Sequence, residues 1–379
     1  MIIKLPKCKI RLFVFCLYNL FFVLYMLNKI SNIFYLITIS LFCFMNLFMI
    51  LGNKIKIKKS WREFKLGISY VVVFVLSSLV MQFFNSDFNL SILFNDVIRL
   101  IIPILNAFLF VNTIRKEDQN IFFNIFLIRF ILQFIFTNLS NLSLTSILSI
   151  SWSNSSSLME SSLAHDFFIM EIYYLMNKDK KKALICLILC MLSMKRLSFI
   201  LAPILFIFSN FISNEKEVKP FFVNILKLSA ILSPFVLITL YSDIFQNWIF
   251  ENFNINLNTL MSGRISIYNI LVNNIPYYNG LGSVNEFLGT FVQTNFGTMW
   301  NGILHNDFLR IYFETTIIGV IILGNNLVEL GRKNYWHFIM IAYLIFVAIT
   351  SHILNYFSVW VTLYMAIMVF NANNSKEEK

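Results

Sequence analysis

Apolar runs close to membrane length recur from one end of this chain to the other, and a fold that must present a wettable surface cannot absorb them. The hydrocarbon core of a bilayer is about 30 Å thick and takes about 20 apolar residues per helix. Within it every backbone amide must be bonded inside its own segment, which leaves helices or closed barrels. Runs of this kind fall at 12–28, 33–52, 66–84, 92–112, 120–136, 161–176, 183–194, 197–213, 221–241, 308–324, 337–350 and 357–370. The expected fold class is an all-α polytopic membrane protein of about 12 transmembrane helices, forming a single integral membrane domain over residues 1–379. Composition agrees: 58% of residues are hydrophobic and 13% charged, against about 45–50% and about 25% in soluble domains. A soluble enzyme is excluded, and no nucleotide-binding, zinc or haem motif occurs.

A net charge of +11 invites a nucleic-acid reading, but the positions of the 30 Lys and Arg residues argue against it. With Lys4, Lys7, Lys9 and Arg11 placed inside, 22 cations fall on the cytoplasmic side and only Lys29, Lys195, Arg196 and Arg264 outside. That asymmetry fits the positive-inside rule with both termini cytoplasmic. The first run has no small-residue cleavage site behind it and reads as a retained anchor. Cys186 and Cys190 share a helix face with no His or carboxylate beside them in sequence, so they read as packing residues. The Asn154-Ser155-Ser156 triplet matches a glycosylation sequon by composition alone, in a Ser- and Asn-rich external loop.

Loop length is the informative irregularity. The 66 residues from 242 to 307, between the ninth and tenth runs, are expected outside as one long periplasmic loop, and loops of such length are usually functional. They hold Asp243, Glu251, Glu286, Asp307, one histidine (His305) and one cation (Arg264). Ile265, Tyr268, Leu271 and their neighbours follow helical spacing, which predicts a helix lying in the membrane interface.

Two strings in this loop carry chemistry. Ser262-Gly263-Arg264 precedes the amphipathic segment and Gly280-Leu281-Gly282 follows it; His305-Asn306-Asp307-Phe308-Leu309 then runs into Glu314 and Gly319. This pattern resembles the O-antigen polymerase and ligase superfamily, multi-span glycosyltransferases that act on undecaprenyl-diphosphate-linked sugars at the outer face of the bacterial inner membrane. The motifs cover residues 262–319, while size, span number and the late loop agree over the whole chain. Lys195-Arg196, at the external end of the seventh run, matches a further family position. The resemblance implies a Wzy-type polymerase that moves a growing glycan from one lipid diphosphate onto the next lipid-linked repeat unit. It also implies a chain-length regulator as a possible partner, and no cofactor.

A sugar held on a lipid diphosphate is already activated, so transfer needs an acceptor hydroxyl to lose a proton while the leaving diphosphate gains charge. The planar, permanently charged fork of arginine suits phosphate oxygens; Arg264 and Arg196, with Lys195, are the candidates to hold them. His305 is the candidate base, its ordinary pKa near 6.5 lying close to working pH, with Glu314 and Asp307 as fallbacks. The resemblance extends the binding set to Asn306, Gly280 and Gly282. Arg129, mid-span with no acid within a turn, must face a partner such as Asp166 or Glu171, or a wet substrate groove. Each residue also has a plain alternative: Arg264 as an interfacial anchor, His305 as a helix cap, Arg310 and Glu314 as an i, i+4 ion pair, and Asp96 and Arg99 as a self-contained pair. Lys227 is expected to snorkel to the cytoplasmic side. His352 and Trp300 read as interfacial residues, Trp300 also as a sugar-stacking one.

Two other functions fit the same outline. A ligase of the superfamily would deliver the glycan to a lipid A core. A lipid-linked oligosaccharide flippase also has about twelve spans, but transporters are commonly built of repeats, and the long loop has no counterpart in the first half of the chain. The topology is testable with reporter fusions: a phosphatase joined near Asn285 should be active and one joined between Lys56 and Lys59 inactive. The reverse pattern would invert the orientation.

Overall fold

The computed structural model describes residues 7–52, 59–84, 90–138, 161–213, 216–261, 263–274, 280–296 and 303–374. The Asn154-Ser155-Ser156 triplet, Ser262 and Trp300 lie outside the described residues. Every regular element among those described is helical. The helices are α1 (Lys7–Met26), α2 (Asn32–Gly52), α3 (Trp61–Phe84), α4 (Leu90–Thr113), α5 (Lys116–Asn138), α6 (Leu163–Met176), α7 (Lys180–Leu192), α8 (Arg196–Phe208) and α9 (Pro220–Tyr241). Then come α10 (Asp243–Phe253), α11 (Leu257–Leu260), α12 (Arg264–Asn274), α13 (Ser283–Phe296), α14 (Asp307–Gly331), α15 (Tyr335–Thr350) and α16 (Phe357–Asn374). Seven of them, α1 to α5, α9 and α14, are long and apolar enough to cross a membrane. Apolar side chains such as Phe48, Leu76, Phe94, Ile207 and Phe221 stand exposed along these and neighbouring helices, the surface expected of a lipid-facing bundle.

Two layers meet at the centre. α16 packs against α4 and α6, while α14 packs against α3, α9 and α15. α6 is the innermost helix: all 14 of its residues are buried, including His165, Asp166 and Glu171. Helices that are hydrophobic all round belong in such a position; the three ionisable residues on α6 do not, and their surroundings are instructive. Arg129 of α5 donates to Tyr18 Oη and Asn19 Oδ1, both at 3.3 Å, and to Ser358 Oγ. Ser358 in turn donates to Asp166 Oδ1 at 2.9 Å. The rings of Phe22 and Phe130 sit 4.4 Å from the guanidinium carbon. Arg129 is thus linked to Asp166 of α6 through Ser358 of α16. Glu171 has no hydrogen-bond partner for either oxygen, yet it lies within electrostatic reach of Cys186 and Cys190. The carboxylate that the α7 sequence lacks beside its thiols is thus supplied by α6; Cys190 Sγ itself approaches the Ala164 carbonyl at 3.5 Å.

One end of the bundle is tied by two acids. Glu329 takes Lys227 Nζ at 2.7 Å, Arg62 Nη2 at 3.0 Å and Arg332 Nη1 at 3.7 Å. Glu63, almost fully buried, takes Lys333 Nζ at 2.8 Å and Asn371 Nδ2 at 3.0 Å. Lys227 therefore does not simply snorkel; it has a partner on α14. At this end Arg11 also donates to Asn46 Oδ1 at 3.2 Å and to the Thr113 carbonyl at 3.4 Å. Arg11, Arg62, Arg332 and Lys333, all assigned to one side by the charge count, meet here.

Removing one partner of a buried charge pair costs about 3 to 5 kcal/mol because the other is left uncompensated. Arg129→Ala should therefore lower the thermal midpoint of the purified protein steeply, whereas Arg129→Met combined with Asp166→Asn should recover most of it. Equal destabilisation by the single and double changes would show that the two charges do not act together.

Candidate functional site

The segment between α9 and α14 builds its own small core. Ile265, Tyr268 and Leu271 of α12 are buried against Leu237 and Tyr241 of α9, Val284 and Leu288 of α13, and Leu309 and Phe313 of α14. The periodic face expected to lie in the membrane interface thus packs on protein. On α10, Ile244, Trp248, Phe250 and Phe253 are all exposed and no residue is buried. Ser242 caps α10 by accepting from Phe245 N at 3.4 Å. Asn254 closes it in the left-handed conformation at φ 54°, which asparagine tolerates better than most residues.

Arg310 fixes this segment to the bundle. Its guanidinium, 2% exposed, donates to Glu314 Oε1 at 3.0 Å, to Asn355 Oδ1 at 2.8 Å and to Asp96 Oδ2. Glu314 Oε1 also accepts from Val284 N at 3.2 Å, and the Glu314 carbonyl accepts from Gly280 N at 3.0 Å. Leu281 N donates to Ser78 Oγ of α3 at 2.9 Å. Gly280 and Gly282 both have φ of +91°, a region that costs other residues strain. At Gly282 a Cβ would also stand 2.5 Å from Ile92 Cγ2. The Gly-Leu-Gly string is therefore a turn pressed against α3 and α4, and Glu314 is its anchor. The i, i+4 reading of Arg310 and Glu314 is realised. Asp96, however, turns to Arg310 and leaves Arg99, so the local Asp96–Arg99 pair does not form.

Asn306 and Asp307 serve the backbone. Asn306 Oδ1 accepts from Leu309 N at 2.7 Å, capping α14, and its Nδ2 donates to the Ile349 carbonyl. Asp307 Oδ2 accepts from Leu354 N at 2.9 Å. Together they bind the start of α14 to the connection between α15 and α16, where His352 sits.

His352 is the meeting point. Its Nδ1 faces Nδ1 of His305 at 3.0 Å, and its Nε2 lies 2.9 Å from Tyr356 Oη. The Tyr356 ring stacks on His165 with centroids 6.0 Å apart, and His165 Nδ1 lies 2.6 Å from Tyr343 Oη. Burial drives the His352 pKa down to about 3, and the charges of His305, Lys195, Arg310 and Arg264 push the same way. Lys195, Arg264 and His305, far apart in sequence, are thus drawn close enough to one imidazole for their fields to act on it. Arg196 follows Lys195 as the first residue of α8, with its Nη2 buried and without a hydrogen-bond partner. Of the expected site residues, His305 contacts His352, and Lys195 and Arg264 act on that imidazole through their charges, with Arg196 adjoining Lys195 in sequence. Glu314, Asn306, Asp307, Gly280 and Gly282 form the frame, and Arg129 belongs to the α1, α5 and α16 packing. Sequence reasoning took His352 only as an interfacial residue and passed over Tyr356 and Tyr343. The i, i+4 spacing of His352 and Tyr356 was a signal for one contact, but nothing local marks the pairing with His305 across 47 positions.

Because folding holds His352 neutral, the unfolded chain binds the extra proton below about pH 6.5 while the folded one resists it down to about pH 3. Stability contributed by this group is therefore lost as pH falls through that window. In thermal melts from pH 7 to pH 4, His352→Gln should flatten the acid loss relative to the unsubstituted protein; parallel curves would remove His352 as its source. Arg310→Lys, which keeps the charge but cannot span three acceptors, should lower folded yield nearly as much as Arg310→Ala. Neither a protein-family model nor a curated protein matches this chain.

Proposed function

We propose that the protein is a Wzy-type surface-polysaccharide polymerase of the bacterial inner membrane, with both termini cytoplasmic. Helices α1 to α9 and α14 to α16 are read as its twelve spans, and residues 242–307 as its periplasmic loop. The observation that carries this reading is the contact of His305 with His352, an imidazole on which the charges of Lys195 and Arg264 also act. Cationic donors and a titratable imidazole at one end of an apolar bundle are what transfer from a lipid diphosphate needs.

In the proposed step, the acceptor hydroxyl oxygen of an incoming lipid-linked repeat unit attacks the anomeric carbon of the donor glycan. The bond from that carbon to the diphosphate oxygen breaks with its electron pair on the diphosphate. The hydroxyl proton passes to His305. With Nδ1 of His305 turned to His352, transfer falls to Nε2, and a neutral His352 that accepts from Nδ1–H keeps Nε2 a base. Arg264 and Arg196 supply forked donors to the diphosphate oxygens, with Lys195 as a point charge. Glu314, tied into the Arg310 network, serves as a positioning group.

The test is elongation without nucleotide. Purified protein in lipid, given polyprenyl-diphosphate-linked repeat units, should produce a glycan ladder and release the lipid diphosphate. Activity only with a lipid A core acceptor would make it a ligase, and leaflet exchange without elongation a flippase. Arg264→Lys and Arg264→Ala should each lower turnover on the order of a hundredfold, with His305→Ala alongside. A normal ladder from Arg264→Lys, at equal membrane protein level, would remove the forked contact.

A further inference from the structure

Charge does not balance where α3 and α9 begin and α14 ends. Glu63 and Glu329 are shared there among Arg62, Lys227, Arg332 and Lys333. Four cations face two carboxylates, so two positive charges remain in surplus. Acceptors run short as well. Lys227 and Arg62 take the two oxygens of Glu329 at 2.7 and 3.0 Å, which leaves Arg332 at 3.7 Å, beyond hydrogen-bond range. Nη1 of Arg62 finds no hydrogen-bond acceptor and stands 3.9 Å from Glu63. Lys333 reaches Glu63 at 2.8 Å with one of its three N–H donors. The side chains of Arg332 and Lys333 are 45% and 43% exposed, so the unmatched charge is open to a ligand.

The surface beside these cations selects the kind of anion. α3, α9 and α14 are each long and apolar enough to cross a membrane, and basic side chains at the ends of such helices meet lipid headgroups. Trp61 directly precedes Arg62, and Phe221 and Phe222 open α9; all three are exposed, and the apolar surface continues along α9 through Ile225 and Leu228. Val218 N donates to the Arg332 carbonyl at 3.1 Å, which holds the start of α9 beside the cations. A ligand that meets both surfaces carries its anionic head on acyl chains. We infer that this end of the bundle binds a phospholipid whose head carries two phosphodiesters. Each phosphodiester bears one negative charge, and together they match the surplus. Arg332 and Lys333 are the phosphate contacts, while Arg62 and Lys227 stay on Glu329. The bound lipid ties the start of α3, the start of α9 and the α14–α15 turn into one unit. The inference concerns the end of the bundle away from His305 and holds whatever reaction that site performs.

The test titrates the full chain, purified in detergent, with cardiolipin and counts bound lipids by native mass spectrometry. One equivalent should bind the unsubstituted protein more tightly than those that follow. At about 1 kcal/mol per basic residue, Arg332→Gln should weaken that equivalent roughly fivefold, and Arg332→Gln combined with Lys333→Gln roughly thirtyfold. Among the described residues the Arg332 side chain makes no hydrogen bond, so Arg332→Gln should leave the lipid-free thermal midpoint unchanged while reducing the rise that cardiolipin gives. That separates binding from folding. Arg115→Gln combined with Lys116→Gln removes two exposed cations at the start of α5 and should leave the tight equivalent intact. Equal weakening by the two double variants would reduce the effect to net charge and overturn the inference. Wild-type affinity in the Arg332 and Lys333 double variant would overturn it as well, as would phosphatidylglycerol, with its single phosphate, binding as tightly as cardiolipin. Complete displacement of the lipid by a polyglutamate peptide of equal charge would assign the surface to an acidic protein segment instead.

Discussion

A single buried guanidinium sets the geometry of one end of this molecule. Arg310 has no way to shed its charge, so burying it at 2% exposure obliges the fold to bring acceptors to it. They come from α4, from α14 itself and from the turn before α16. Because Glu314 then also holds the amide of Val284, the turn at Gly280 to Gly282 is drawn against α3 and α4. The position of α13, the start of α14 and the loop bearing His352 all follow from satisfying this one side chain.

The opposite end uses the reverse arrangement. There two acids, Glu329 and Glu63, gather an excess of Lys and Arg from α3, α9 and the α14–α15 turn. A surplus of cations around two acids leaves that end net positive, while at the Arg310 end the acids are absorbed into the frame. The charges of Lys195 and Arg264 act on His352.

How much of this the sequence disclosed depended on the range of the interaction. Each apolar run has a helix at its place, because length and hydropathy are local properties; the four helices of the intervening segment were legible only at α12, whose spacing is regular. Even there the face was right and its partner was not: Tyr268 and Leu271 meet Phe313 and Leu288 instead of lipid. The pairing of Arg310 with Glu314, four residues apart, could be read directly. That of Asp96 with Arg99, three apart, was equally plausible and failed because Arg310, 214 positions away, competes for the same carboxylate. Arg129 reaches Asp166 of α6 only by way of a serine that belongs to α16, a link no local spacing could disclose. The Gly-x-Gly and His-Asn-Asp strings were visible as motifs, yet their glycine turn and caps turned out to be the scaffold around a histidine, His352, that no local pattern distinguished.

The shortness of α7 and α8 bears on how a bilayer would meet this protein. Each has 13 residues, a reach of about 20 Å at 1.5 Å per residue, against a hydrocarbon core of about 30 Å. They form a hairpin whose tip carries Lys195 and Arg196 and whose outer faces, through Ile185, Ile188, Ile200 and Ile204, are exposed and apolar. Hydrophobic mismatch of this size is relieved by local thinning of the bilayer. The headgroup plane would then dip toward the hairpin tip, carrying lipid phosphates down to the two cations where the core beneath them is thinnest.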